Sequence, residues 1–293
     1  TFSIVHATNF SIECASRWTP EYAADTQGHP DRIKWKNFLS ANADGSILLT
    51  ERAQILQRWA EHFRGVLNRP SDISETAIVR LPQVEINVDL DLSPSLQETI
   101  RPVQQLSSGK APESDVIPAE VYKHESPQLM GYLTALFREM WHQDEVPKNF
   151  KDATIVHLYK RNGNRKLCEN HRGISLLNIA GKIFAHILLN RLTNHLEQGL
   201  LPESQCGFRR YRGTTDKIFA ACQLQEKCLE MRTHLYSTFV DLTKAFDTVN
   251  REGLWKIMQK FGCPERFIDM VRQLFDDMMA RVTDNGAAPT TAP

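Results

Sequence analysis

A hydrophobic segment that ends in an acidic residue, Leu235–Asp241, places the strongest local constraint on the fold. Leu235–Val240 is rich in β-branched and aromatic residues, which predicts a strand. The strand is predicted to end at Asp241, before a helical apolar pattern over Arg251–Lys260. A carboxylate at the end of a strand is held rigidly and stays accessible to solvent, so it suits a hard divalent cation. The alternative is that Asp241 only caps the helix that follows.

Composition is that of an ordinary globular protein, with 41% hydrophobic and 24% charged residues in a chain of 293. No apolar run approaches the roughly 20 residues that a membrane-spanning helix needs, and the first residues lack the pattern of a secretory signal. The six cysteines form no Cys-x-x-Cys pair, which favours reduced thiols. We therefore expect an intracellular protein without a membrane span, and the nucleus and the cytoplasm are both compatible with this.

Charge is distributed unevenly along a chain whose formal net charge is zero. Residues 148–212 contain twelve basic and four acidic residues, so this block has a net charge of +8 and the rest of the chain balances it. A basic block inside a neutral chain indicates a surface that binds phosphates. The alternative is a charged surface that is merely solvated.

The helical patterns and breaks divide the chain into four parts. Residues 1–42 are predicted to be poorly ordered, and residues 43–94 to be a helical linker region with one main helix followed by loops and a short strand. Residues 95–282 hold most of the remaining elements, and residues 283–293 are predicted to be a disordered tail. Further helices are predicted over Ser95–Leu106, Ser126–Gln143, Asn178–Leu196, Thr214–Lys227, Arg251–Lys260 and Pro264–Met279.

A basic hairpin is predicted between residues 152 and 177. Asp152–Tyr159 has the composition of a strand, Asn162-Gly163 is a strong turn signal, and His171–Leu177 forms the returning strand. Lys160 and Arg172 lie at the two ends of the predicted connection. A guanidinium group binds phosphate with two parallel hydrogen bonds, and a lysine contributes a mobile positive charge. For Arg172 the alternative is a structural salt bridge.

A second basic segment, Gln205–Thr215, contains two glycines, two aromatic residues and three arginines. A glycine such as Gly207 lets the backbone approach a nucleic-acid strand closely, and Arg209 can neutralise a phosphate. An aromatic side chain can stack on a base, although Phe208 is predicted to belong to the core instead. Thr214 or Thr215 is predicted to cap the helix that follows.

Four motifs of the chain resemble those of the reverse transcriptases of non-LTR (LINE-type) retrotransposons, and they follow one another along the chain in the same order as in that family. Asp241-Leu242-Thr243-Lys244-Ala245-Phe246-Asp247 resembles the first catalytic motif of that family. Gly109-Lys110-Ala111-Pro112 resembles an upstream motif in which Glu113 here replaces a glycine. Arg172-Gly173-Ile174-Ser175 and Gln205-Cys206-Gly207-Phe208-Arg209 resemble the two motifs of the fingers. The resemblance covers roughly residues 43–282.

The resemblance implies an α+β fold in which residues 95–282 form the helix-rich fingers and an incomplete palm of a right-hand polymerase. It also implies RNA-directed DNA synthesis by two-metal nucleotidyl transfer, with Mg²⁺ as the cofactor. The implied partners are an RNA template, a DNA primer and deoxynucleotides. An endonuclease domain is expected upstream in the complete element, and residues 1–42 do not match one.

The resemblance also implies roles for individual residues. Asp241 would be catalytic and, with the Leu242 carbonyl, would bind metal. Lys160, Arg172 and Phe246 would bind the nucleotide, while Asp247 would brace the turn. The residues implied to contact template or primer are Lys110, Gln205, Gly207 and Arg209; for Lys110 an exposed loop lysine is an equal alternative.

The later catalytic motifs of the family, which include an Asp-Asp pair, do not follow Asp241 in this sequence. Asp276-Asp277 does not match that pair, because it is predicted to lie on the solvent side of an amphipathic helix. A single carboxylate cannot hold two divalent ions. We therefore expect the 293-residue chain to be a truncated remnant or a partial gene model that is inactive alone. The alternative function is a non-catalytic protein that binds RNA or DNA through the basic fingers surface, and a helical scaffold without a nucleic-acid role is a third hypothesis.

Overall fold

The structure is a computed structural model, and it describes residues 40–41, 46, 48–68, 72–108, 117–124, 127–241, 249–282 and 290–291. Most of the predicted N-terminal segment and tail therefore lie outside the described residues. So do Lys110, Leu242, Phe246 and Asp247. No helix in the described ranges is long and apolar enough to cross a membrane.

The described chain is a mixture of helices with a small sheet. The helices are α1 Arg52–Leu67, α2 Glu75–Val79, α3 Leu96–Gln105, α4 Ala119–His124, α5 Pro127–Gln143, α6 Lys148–Lys151, α7 Ile179–Leu196, α8 Thr214–Glu230, α9 Arg251–Lys260 and α10 Glu265–Gln273. The strands are β1 Ser40–Ala41, β2 Leu48–Leu49, β3 Ala153–Tyr159, β4 His171–Leu177, β5 Ala280–Val282 and β6 Thr290–Thr291. Short 3₁₀ turns cover Val88–Asp91 and Cys168–Asn170.

The larger sheet has the strand order β4-β3-β5-β6. β3 and β4 are antiparallel, with Leu158 opposite Arg172 and Tyr159 opposite His171. β5 lies on the other side of β3 and runs parallel to it, and β6 pairs with β5 in the antiparallel sense. The predicted basic hairpin is thus present, and it sits at one side of the sheet.

The main hydrophobic core lies between α3, α5, α7, α9 and α10. Phe137, Phe184 and Phe267 are fully buried in it. α7 is buried around most of its circumference, because it runs through the centre of this helical layer. Burial on all sides explains why its apolar residues extend beyond a single stripe.

Helix α1 covers the sheet through a second, smaller core. Trp59 and Phe63 pack with Ile155 of β3 and Val282 of β5. A Cβ atom built on Gly173 would lie 2.5 Å from a ring carbon of Phe63, so the glycine leaves the space that this ring occupies. The division of the chain at residue 94 stays a prediction, but α1 is in direct contact with elements of the later part.

Most of the predicted helices in the described ranges are confirmed within a few residues. α3 begins with a capping box in which the Ser95 hydroxyl accepts from the Glu98 N–H and the Ser95 N–H donates to the Glu98 carboxylate. Pro102 lies inside α3 without ending it. Before α3, residues 72–94 form α2 and a 3₁₀ turn, so the predicted short strand is absent from that described range.

Three local predictions were wrong. Leu235–Val240 is not a strand but an exposed segment without regular structure, because no described strand pairs with it. Helix α10 ends at Gln273, so Asp276 and Asp277 lie in a turn, although both are exposed as predicted. Gly213, and not a threonine, is the N-cap of α8.

Candidate nucleic-acid interface

The connection between β3 and β4, residues 160–170, is held in one shape by hydrogen bonds within the loop. The Tyr159 hydroxyl donates to the Gly163 carbonyl at 2.6 Å, and the Asn170 side chain donates to the Asn164 carbonyl at 2.8 Å. Gly163 has a φ of +74°, which a glycine adopts without strain. The loop therefore presents Lys160, Arg161 and Arg165 to solvent from a fixed backbone.

Lys160 and Arg172, the two predicted nucleotide-binding residues of the hairpin, are both exposed at its outer end. The Lys160 ammonium donates to the Glu169 carbonyl at 2.8 Å, so its charge is held beside the loop. Arg172 forms no ion pair with any residue in the described ranges, although a structural salt bridge was the alternative for it. Its guanidinium group is thus available to an anion from solvent.

Below the loop, three aromatic rings join the hairpin to α1. Trp59 stacks on His157 with ring centroids 4.1 Å apart, and His171 meets the edge of this pair. Burial lowers the pKa of His157 to about 4, and the nearby His171 and Arg165 act in the same direction. The pKa of His171 is also lowered, mainly by burial. The face of the hairpin that packs against α1 is therefore neutral at physiological pH, while the exposed Lys160 and Arg172 are cationic.

The second predicted region is the turn between α7 and α8, which spans residues 197–213. Gln205 is buried and its side chain donates to the Gly207 carbonyl at 2.9 Å, so it stabilises the turn. Gly207 is exposed, and a Cβ atom there would meet only the Gln205 side chain, at 3.9 Å. Arg209 is largely covered, and its guanidinium donates to the Pro202 carbonyl and lies 3.7 Å from the Glu203 carboxylate.

Three of the twelve basic residues in the block 148–212 are buried and belong to the interior. They are Lys151, Lys182 and Arg191. Arg191 donates to both carboxylate oxygens of Glu98, at 2.6 and 2.9 Å. The cationic surface is therefore smaller than the sequence indicated, because charge counting does not separate interior cations from exposed ones.

Asp241, the predicted catalytic residue, is exposed and lies outside any helix or strand. In the described ranges, no three or more His, Cys, Asp or Glu residues form a group that could hold a metal ion. These residues therefore do not fit a two-metal site. Leu242 and Phe246, the other residues predicted at this site, lie outside the described ranges.

Sequence reasoning missed one exposed aromatic residue in the 197–213 turn. Phe208 packs against the main core, as predicted, so it is not available for stacking. Tyr211 has a fully exposed side chain, at 102% of the reference area. The signal that could have identified it is its position between Arg210 and Arg212, because interleaved aromatic and basic residues are typical of nucleic-acid surfaces.

Comparison with known protein families finds a match for the part of the chain that contains the basic loop and the 197–213 turn. Residues 158–291 match the family described as reverse transcriptase (RNA-dependent DNA polymerase). The match begins at the end of β3, so it includes the basic loop, the 197–213 turn and Asp241.

Individual relatives come from Drosophila melanogaster mobile elements. The RNA-directed DNA polymerase from mobile element jockey is 24% identical over 200 residues, which cover 68% of this chain and 22% of that protein. The probable RNA-directed DNA polymerase from transposon BS is 23% identical over 211 residues, covering 71% and 23% respectively. The corresponding protein from transposon X-element is 28% identical over 182 residues, covering 61% and 20%.

The chain spans between a fifth and a quarter of the length of these curated relatives. The family match and the relatives agree on the same kind of protein, and the mixed helix-and-sheet structure is compatible with it. Through residues 158–291, a little under half of its length, the chain is therefore similar to the reverse transcriptase family, and the relatives that it matches are named as RNA-directed DNA polymerases of mobile elements.

Proposed function

We propose that the chain forms the fingers and part of the palm of an RNA-directed DNA polymerase that copies a non-LTR retrotransposon inside the cell. Its partners would be an RNA template, a DNA primer and deoxynucleotides. The observation that carries the proposal is the fixed hairpin loop, which presents exposed cations within the family-matched segment. A rigid cationic loop at the edge of a sheet suits the binding of phosphates, because little order is lost when the ligand binds.

In this proposal, Lys160 and Arg172 face the triphosphate of the incoming nucleotide. Arg172 can offer both edges of its guanidinium to phosphate oxygens, since no described residue forms an ion pair with it. Arg209 would contact the template or primer backbone after exchanging its Glu203 partner for a phosphate. Gly207 would let the strand approach, because the described residues leave open space beside it.

Catalysis in the complete enzyme would use divalent ions, with Asp241 as one of their ligands. One carboxylate cannot hold two such ions, so no metal-dependent step is assigned to the 293-residue chain. We expect this chain alone to incorporate no nucleotide in a primer-extension assay on a primed RNA template with Mg²⁺. Robust incorporation that disappears in Asp241→Asn would contradict this expectation.

RNA binding tests the proposed surface. The chain is expected to bind single-stranded RNA with an affinity that falls as salt rises, because phosphate contacts release counterions. The double variant Arg172→Ala/Arg209→Ala is expected to bind at least about 10-fold more weakly, with a salt slope lower by about 0.7 for each lost contact. Fluorescence anisotropy with a labelled oligonucleotide over a salt series measures both quantities.

Arg80→Ala provides a matched control, since Arg80 is an exposed arginine at the end of α2 and lies outside the basic block. It is expected to leave affinity and slope unchanged. Binding that the double variant does not weaken would contradict the assigned surface. Absence of any salt-dependent binding by the unmodified chain would instead favour a helical scaffold without a nucleic-acid role.

A further inference from the structure

The turn between α7 and α8 is built as a rigid platform. The Glu197 carboxylate accepts from the Arg210 N–H at 3.0 Å and lies 3.6 Å from the guanidinium of the same residue. Arg210 also donates to the Asn194 side chain at 2.7 Å, and Arg212 pairs with Glu203. The Arg210 bonds tie the turn to the end of α7, and the Arg212–Glu203 pair joins two parts of the turn, so the residues between them have a defined position.

Tyr211 projects from this platform into solvent. Its side chain is 102% exposed, and its φ is +58°, a left-handed conformation that a tyrosine rarely adopts. Neither burial nor backbone preference explains a large aromatic ring at this position. In the same turn Phe208 shares the left-handed conformation, but its ring packs against the core.

The guanidinium groups on either side of Tyr211 are only partly used within the turn. The side chains of Arg210 and Arg212 keep 34% and 37% of their area exposed. Each guanidinium has five N–H donors, and the contacts within the turn leave donors on both groups available. The turn thus combines one accessible ring with two accessible cations over three consecutive residues.

We infer that Tyr211 stacks on a base of a single-stranded nucleic acid whose phosphates contact Arg210 and Arg212. The inference rests on the proposed function and deepens it, because it adds a base-stacking residue to a surface that otherwise contacts phosphates. Stacking on an aromatic ring is tolerant of sequence, since every base has a π-face. The contact would therefore hold the strand without selecting its sequence.

Substitution of the ring in the full 293-residue chain tests the inference, with a labelled single-stranded RNA as the probe. Tyr211→Ala is expected to weaken binding by about 5- to 100-fold, the range typical of losing one stacked base. The salt slope is expected to stay as in the unmodified chain, because no phosphate contact is lost. Tyr211→Phe is expected to bind within about 3-fold of the unmodified chain, since it keeps the stacking surface.

A second probe separates stacking from charge. An abasic strand of the same length is expected to bind the unmodified chain and Tyr211→Ala with equal affinity. For the corresponding single-stranded DNA, Tyr211→Ala is expected to lower the affinity as much as it does for RNA. Tyr132→Ala is the matched control, because Tyr132 is a 74% exposed tyrosine on α5, outside the basic block. This control is expected to bind RNA normally.

The outcomes distinguish the inference from the proposed function. If the unmodified chain binds RNA with a salt-dependent affinity but Tyr211→Ala binds equally well, the stacking role is wrong and the proposed function stands. An equal loss on the abasic strand would also overturn stacking. If the unmodified chain shows no salt-dependent binding, both are overturned.

Discussion

Replacing Arg191 with alanine is expected to lower the free energy of unfolding by about 2–3 kcal/mol, because it removes a buried guanidinium from the half-buried Glu98 carboxylate and from two backbone carbonyls. Arg191 is 8% exposed and forms two hydrogen bonds to Glu98. It also donates to the Leu92 and Ser93 carbonyls and lies over the Trp141 ring at 5.3 Å. Urea denaturation followed by circular dichroism measures the loss.

Two variants test the cause of that loss. Arg101→Ala removes an exposed arginine from the same helix as Glu98 and is expected to change stability by less than about 0.5 kcal/mol. Arg191→Met combined with Glu98→Gln is expected to be less destabilised than Arg191→Ala, since no unpaired charge remains. A full loss in the double variant would indicate that packing around Trp141, and not the ion pair, dominates.

Acidification from about pH 7 to about pH 5 is expected to destabilise the chain by about 2 kcal/mol for each of His157 and His186. Burial lowers the pKa of each imidazole from 6.5 to about 4, with the charges of His171 and Arg165 adding to the effect at His157 and that of Lys182 at His186. The folded state therefore disfavours protons that the unfolded state binds. The contribution of the two neutral histidines to the free energy of unfolding is fully present above about pH 6.5, and it is lost progressively as the pH falls towards 4.

The controls for the pH dependence keep the packing and remove the titration. His157→Phe retains a ring beside Trp59 and is expected to reduce the loss between pH 7 and pH 5 by about half. The contribution of Glu98 to the free energy of unfolding changes at lower pH than that of the histidines. Burial raises its pKa, but the hydrogen bonds from Arg191 and Ser95 outweigh this and hold the pKa below 4.5, so its contribution is lost only as the pH falls below that value. An unchanged pH profile in His157→Phe would contradict the assignment.

Sequence patterns predicted the elements that form their structure locally or with near neighbours. α5, α7 and α9 follow apolar periodicity, and the β3–β4 hairpin follows its own two strands. The strand predicted over Leu235–Val240 failed for a physical reason. A strand needs a partner for its backbone groups, and composition alone does not show whether one is present.

The candidate site was only partly accessible from the sequence. The exposure of Lys160 and Arg172 agrees with the prediction, while the roles proposed for them remain to be tested. The burial of Arg191 and the full exposure of Tyr211 could not be predicted from the sequence. Whether a cation is interior or a ring is exposed depends on residues that are distant in the chain, such as Glu98 for Arg191.

The contact between α1 and the hairpin determines where the chain can be shortened. The family match starts at residue 158, whereas α1 and most of β3 precede it. A fragment cut at the family boundary would lose the Trp59 and Phe63 rings and also most of the strand that pairs with β4. Its basic loop, residues 160–170, would then be attached to a single bare strand, and such an open edge promotes aggregation.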